Sequence, residues 1–115
     1  MAFETSIHLK DCNYRYTISD QVKKYTLIDT TFEVNKLGHY ELTRLLEEVP
    51  NSGNGFPIKI TVNKDLKSFK LIITDQSGLR QVNIFKSDKT KIIQEKFYFL
   101  MDSLVERNIF TKEEV

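Results

Sequence analysis

The sequence predicts an α+β fold in which antiparallel β-sheets, two of them, pack around a single long C-terminal helix. Three observations predict it. Short runs of alternating apolar and polar residues recur between Phe3 and Phe85, turn-forming residues separate those runs, and the roughly twenty positions that follow carry apolar side chains at helical spacing.

Phe3, Thr5, Ile7 and Leu9 alternate with Glu4, Ser6 and His8 and predict a first strand. Tyr14, Tyr16 and Ile18 repeat the pattern, which Ser19 and Asp20 break. From Tyr25 to Val34, the residues Thr26, Ile28, Thr30, Phe32 and Val34 share one face and are β-branched or aromatic, so another strand is expected there. Asn35 to Gly38 supply a turn, because Gly38 takes a positive φ at no steric cost, and Tyr40 with Leu42 resumes the alternation as the second arm of a hairpin. Leu42 to Val49 also fits helical spacing through Leu42, Leu45, Leu46 and Val49; continuation of the hairpin strand is the preferred reading.

Pro50 to Pro57 contains Asn51, Ser52, Gly53, Asn54 and Gly55 and reads as a mobile loop. Phe56, Ile58, Ile60 and Val62 then form the cleanest period-two run. Asn63 to Ser68 turn the chain, Phe69, Leu71 and Ile73 form the next inward set, and after Gln76 to Gly78 the pair Val82 and Ile84 returns as the third strand of a meander. A register with Phe69 opposite Ile84 and Leu71 opposite Val82 places Arg80 opposite Ile73, at the rim of the apolar face.

Ser87 or Asp88 is suited to cap the helix that follows. Ile93, Phe97, Leu100 and Leu104 make its apolar stripe, widened by Met101 and Val105, with Glu95, Asp102 and Glu106 opposite. Asn108 suits a left-handed terminus that lets Ile109 and Phe110 fold back on the last turn. Ile92 and Phe99 lie beside the stripe. Leaving Phe99 in water would forgo about 2 kcal/mol of burial, so a second sheet built from the N-terminal strands, or another subunit, is expected on that side.

A chain of 115 residues suits one domain spanning 1–115, and a 40% apolar, 29% charged composition is that of an ordinary globular protein. Seventeen Lys and Arg against 16 Asp and Glu leave a net charge of +1, which argues against nucleic acid or an anionic membrane as partner. Cys12 is the single cysteine, Met1 to Leu9 lacks the pattern of a secretory signal, and no apolar run is long enough to span a bilayer, so a cytoplasmic protein is expected.

Several residues invite a chemical reading, and each has a plainer one. Cys12 near His8 suggests a nucleophile, but adjacent Asp11 works against a thiolate, and a core or loop thiol is the simpler account. His8 and His39 occupy polar phases, where histidine needs no metal, and Glu47 and Glu48 point apart on a strand. No metal site, cofactor or catalytic residue is assigned. Lys59, Lys64, Lys67 and Lys70 gather on one hairpin with Thr61, Ile72, Asn83 and Phe85 on the same outward side, a face fit for an anionic or planar ligand or simply a lysine-guarded edge. Arg80 is the candidate anchor for a carboxylate-bearing small molecule at the end of the sheet, with Asn83, Tyr14, Tyr16 or Arg44 contributing; the plainer reading is an arginine that snorkels or makes an internal ion pair.

The segments Val22–Leu27 (VKKYTL), Ile60–Leu66 (ITVNKDL), Gly78–Phe85 (GLRQVNIF) and Phe99–Arg107 (FLMDSLVER) together give the chain its resemblance to a family of small proteins of lactic-acid bacteria and their relatives, a domain of unknown function filed under amino-acid metabolism. The resemblance covers almost the whole chain and lies in length and phrase order, so it carries over no active-site residue. It implies an α+β domain with sheets packed on one helix and an association with amino-acid or sulfur metabolism. A pyruvoyl decarboxylase formed by cleavage at Glu-Ser does not fit, since the chain has no Glu-Ser dipeptide.

The function expected from these readings is a small non-catalytic domain that binds an amino-acid-like ligand and regulates an enzyme of that pathway. A protein-interaction adaptor using a sheet edge or the Phe99 side of the helix is the alternative, and an enzyme using Cys12 or a carboxylate stands third. A monomer or weak homodimer is expected, with a protein partner of the same pathway.

Overall fold

The computed structural model describes residues 2–115. Its elements are β1 (Ser6–Ile7), β2 (Tyr14–Ile18), α1 (Lys24–Asp29), β3 (Glu33–Val34), β4 (Tyr40–Glu47), β5 (Gly55–Val62), β6 (Phe69–Ile73), a 3-10 turn (Asp88–Thr90), α2 (Lys91–Glu106) and β7 (Phe110–Glu114). All strand pairs are antiparallel, in a four-stranded sheet of order β3-β4-β5-β6 and a three-stranded sheet of order β1-β2-β7. This is the α+β arrangement of two sheets on one C-terminal helix. Among the described residues no helix is long and apolar enough to cross a membrane.

The helix follows from its apolar stripe. Ile93, Phe97, Met101 and Leu104 are buried, with Leu100 and Val105 on the flanks, and α2 contacts β4 on one side and β7 on the other. Phe97 meets the ring of Tyr16 edge-on at 6.0 Å, and Phe69 of the larger sheet meets Phe110 of the smaller one at 4.6 Å. Apolar surface from both sheets therefore closes over one core, the main stabilising term of such a domain. At the N-terminal end Ser87 accepts a hydrogen bond from the Lys89 N–H. At the other end Asn108 has φ 62°, Asn108 N–H bonds Val105 C=O and Ile109 N–H bonds Leu104 C=O. That is the paired termination in which a left-handed residue lets the next apolar side chain, here Ile109, fold back on Leu104.

The same termination explains the segment where sequence and structure differ most. Tyr25–Val34, expected as one strand, is instead α1 followed by the two-residue β3. Thr31 N–H bonds Ile28 C=O and Phe32 N–H bonds Leu27 C=O, with Thr31 at φ 74°. Leu27 and Phe32 are both buried, whereas Ile28 and Val34, members of the supposed inward face, are exposed. Burial of that one apolar pair, at a spacing no flat strand offers, outweighs the β-propensity of the threonines.

Three other expectations change. The mobile loop ends early, because Gly55 to Pro57 belong to β5; a Cβ on Gly55 would lie 2.2 Å from the Leu46 carbonyl oxygen, so only glycine fits opposite β4 here. Strand β7 was not anticipated: its exposed, charged side chains hide a ladder in which Tyr16 faces Lys112 and Ile18 faces Phe110. The second sheet that Phe99 called for exists, yet it does not cover Phe99, which is 78% exposed, or Ile92, at 43%.

The third meander strand is the last correction. After β6 the chain pairs only at Thr74↔Gln81, two residues out of the expected register, and then leaves the sheet. Asp75 N–H bonds Arg80 C=O, and the turn between them, closed by the Gly78 N–H on Asp75 C=O with Gly78 at φ 77°, is two residues longer than the expected register allows. Arg80 is therefore exposed on a turn rather than laid across apolar surface opposite Ile73. Ile84 still reaches the core, with its carbonyl held by the Gln94 side chain at 2.8 Å rather than by a neighbouring strand.

Candidate functional site

The early departure of the chain after β6 leaves a gap in a sheet edge. In the β5–β6 ladder Thr74 N–H bonds Pro57 C=O and, at the far end, Asn63 N–H bonds Ser68 C=O. By the alternation of antiparallel ladders, Lys70 and Ile72 then direct their backbone groups to β5, while Phe69, Leu71 and Ile73 direct theirs outward. Glu4 takes the outward position at Phe69, exchanging both bonds, and Val82 N–H takes the Ile73 C=O. Between them Leu71 N–H, Leu71 C=O and Ile73 N–H have no hydrogen-bond partner among the described residues. Of the described residues before Glu4, Ala2 makes no backbone bond to this edge, and Phe3 lies on the outer face of the sheet, 4.9 Å from the His39 ring and beneath the Lys70 ammonium at 4.4 Å.

Leu71 is 0% exposed, so these are dry backbone groups. Leaving a buried donor or acceptor unpaired costs about 1–3 kcal/mol, which makes the edge a place that favours a visitor with complementary groups. A cleft of about 280 Å³ opens over it, lined by Leu9, Lys10, Leu71, Ile72, Ile73, Gln81, Val82, Asn83 and Phe85. Its walls are mainly apolar, Lys10 is the one charged side chain among them, and its volume lies just under the ~300–1,000 Å³ range of drug-sized ligand pockets. Asn83 is held in place by donating to Asp11 at 2.9 Å and accepting from Phe85 N–H at 2.9 Å.

A second, wider hollow of about 660 Å³ lies on the outer face of the four-stranded sheet. Cross-strand rows set by the register line Glu41, Thr61 and Lys70 beside Thr43, Lys59 and Ile72. Lys59 lies 3.6 Å from Glu41, and His39 accepts the Lys64 N–H on Nδ1 at 3.0 Å, which leaves its Nε2 as the ring's donor. The expected basic face is thus present, but Lys59 and Lys70 are each engaged, by Glu41 and by the Phe3 ring. Phe85 lies in the other cleft, as does Asn83.

The five residues singled out from sequence do not converge. Asn83 lines the cleft at the β6 edge, and Arg80 stands on the exposed turn next in the chain to the lining residue Gln81. Arg44, on β4, donates to the Thr31 hydroxyl and to the Thr43 carbonyl, away from both. Tyr14 and Tyr16 face the helix instead: Tyr14 packs edge-on to Tyr98 at 5.9 Å, and Tyr16 is 1% exposed with a hydroxyl that finds no partner. Burial pushes the Tyr16 phenol far above its ordinary value and raises Tyr98 to about 12. Cys12 is buried in the same neighbourhood, and His8 donates to its carbonyl at 2.8 Å, not to its thiol. The contribution of Leu9, Lys10 and Val82, and of the Leu71 backbone, was missed. Alternation marks which side chains face inward but not which strand lacks a neighbour, so no residue pattern signals an open edge.

A family model, DUF1831, described as "Putative amino acid metabolism", matches residues 1–111. No curated protein matches the chain. The crystal structure of a DUF1831 family protein from Lactobacillus plantarum is similar to it, with a TM-score of 0.89 and 33% sequence identity over 98% of this chain and 99% of that one.

Proposed function

The chain belongs to the DUF1831 family, and from that membership we propose that it is a small, non-catalytic, cytoplasmic domain of amino-acid metabolism that binds an amino-acid-like ligand in the cleft beside β6 and regulates a protein of the same pathway. The observation that carries this reading is the unpaired Leu71 backbone at the floor of an apolar cleft with one ammonium, Lys10, on its wall. Such a floor offers recognition of main-chain polar groups and the walls accept a side chain; neither supplies a nucleophile. Asn83 contributes a wall, and Arg80 is retained as a second cation for the mouth.

A thermal-shift screen of amino acids and their sulfur and nucleoside derivatives tests it. At least one amino acid raises the melting temperature of the wild type, and Val82→Trp, which fills the cleft, abolishes the rise. A panel without effect, or an equal rise in the Val82→Trp protein, removes the reading. The adaptor alternative draws on Phe99 and Ile92, exposed together on one side of α2. Phe99→Ser separates the two, since it leaves a ligand-induced rise intact if the cleft is the site.

A further inference from the structure

Resting on the reading of the cleft as the ligand site, we infer that its occupant is a single free α-amino acid with an apolar side chain, bound as a one-residue β-strand against Leu71. The gap sets the length. Glu4 already holds the outward position at Phe69 and Val82 that at Ile73, so the open stretch of edge is one hydrogen-bonding position wide. A longer extended peptide would collide with one flank or the other; one amino acid is short enough to lie between them, and because Leu71 is 0% exposed its main chain pairs only as the lining side chains of Leu9 and Val82 move aside.

The polar groups then match in pairs. In an antiparallel hydrogen-bonded pair, each residue donates to the other's carbonyl and accepts from its N–H. An amino acid set opposite Leu71 does the same with its ends: one carboxylate oxygen accepts from Leu71 N–H, and the α-ammonium donates to Leu71 C=O. The charge of the carboxylate faces a lining whose charged side chain is Lys10. The apolar side chain follows from the pleat, because residues directly opposite one another across a pair project to the same face. Leu71 projects inward and is buried, so the ligand side chain of an L-amino acid enters the side walled by Leu9, Val82 and Phe85. A D-amino acid would send it outward, and a charged side chain would lose its hydration there without a partner.

Calorimetric titration of the intact wild-type chain with L-leucine and L-methionine, against 4-methylpentanoic acid, L-leucinamide and D-leucine, tests the inference. An L-amino acid binds, and loss of the amino group, of the carboxylate or of the L configuration each weakens binding by about tenfold or more. Binding of 4-methylpentanoic acid as tight as that of L-leucine, still abolished by Val82→Trp, would leave the cleft as a ligand site but overturn main-chain pairing. No binding by any of the five compounds would overturn the inference, while a rise in melting temperature with a larger amino-acid derivative, abolished by Val82→Trp, would leave the reading of the cleft standing.

Discussion

Glu4 and Phe69 exchange two backbone hydrogen bonds, at 2.9 and 2.8 Å, and so fasten the N-terminal segment to the outer edge of the four-stranded sheet. The segment then continues into β1 of the other sheet, so this pair couples the two layers that enclose α2. Two residues along the same edge, at Leu71, nothing is exchanged, and the candidate site is that difference.

The Glu4 pair can be removed without touching a core side chain. Glu4→Pro deletes the donor to Phe69 C=O and strands a buried acceptor, since Phe69 is 0% exposed. Urea unfolding should show a loss of about 1–3 kcal/mol, while Glu4→Ala, which keeps the backbone, stays within ~0.5 kcal/mol.

Tyr16 makes the opposite case. Its hydroxyl is buried with no partner, so the folded state carries a desolvated polar group with nothing gained in return. Tyr16→Phe keeps the ring contacts with Phe97 and removes that penalty. The variant should be more stable by about 1 kcal/mol, seen as a rise of a few degrees in Tm; a fall would mean that the hydroxyl has a partner in solution.

Phe97 and Phe99 sit two residues apart on α2, one fully buried and the other exposed. Phe97→Ala should cost about 3–5 kcal/mol and Phe99→Ala less than ~0.5 kcal/mol in chemical denaturation. A large loss for Phe99→Ala would mean that its side is covered by another copy of the chain, which sedimentation at the same concentration would show.

Asp75 closes the turn that carries Arg80. A hydrogen bond from the Ser77 hydroxyl, helped by backbone N–H groups, holds its carboxyl below the ordinary value of 3.8. A carboxylate lowered on folding contributes stability above its unfolded pKa and loses it as pH falls through the folded one. Acidification below about pH 4 should therefore loosen this turn, read as lower amide-exchange protection at Asp75, Ser77 and Gly78, whose N–H groups bond within it, and Asp75→Ala should remove that pH dependence.

Much of the fold was legible in the sequence because most strands are half-buried and alternate accordingly: β2, β4, β5 and β6 follow from Tyr14–Ile18, Tyr40–Glu47, Ile58–Val62 and Phe69–Ile73. Helix α2 was legible from its stripe, and its end from Asn108. What was not legible depends on contacts made at a distance. The Leu27–Phe32 clasp overrides an alternating threonine pattern, and every residue of β7 but Phe110 is exposed, with Lys112, Glu113 and Glu114 charged, so pairing with β2 rather than amphipathicity defines it. For the candidate site, Asn83 was singled out and lines the cleft. Arg80 was misplaced because the register was set by maximising apolar pairs, whereas the longer turn between Asp75 and Arg80 shifts it by two residues.

The central claim, that the unpaired edge at Leu71 is where a ligand binds, is tested most directly by backbone amide NMR of the ¹⁵N-labelled chain titrated with L-leucine. The amides of Leu71, Ile73 and Val82 should shift together and saturate, with Leu71 N–H moving downfield as it gains an acceptor and becoming protected from exchange. Shifts confined to the outer face around Lys59 and Lys70, or a Leu71 amide that stays unmoved while others saturate, would contradict it.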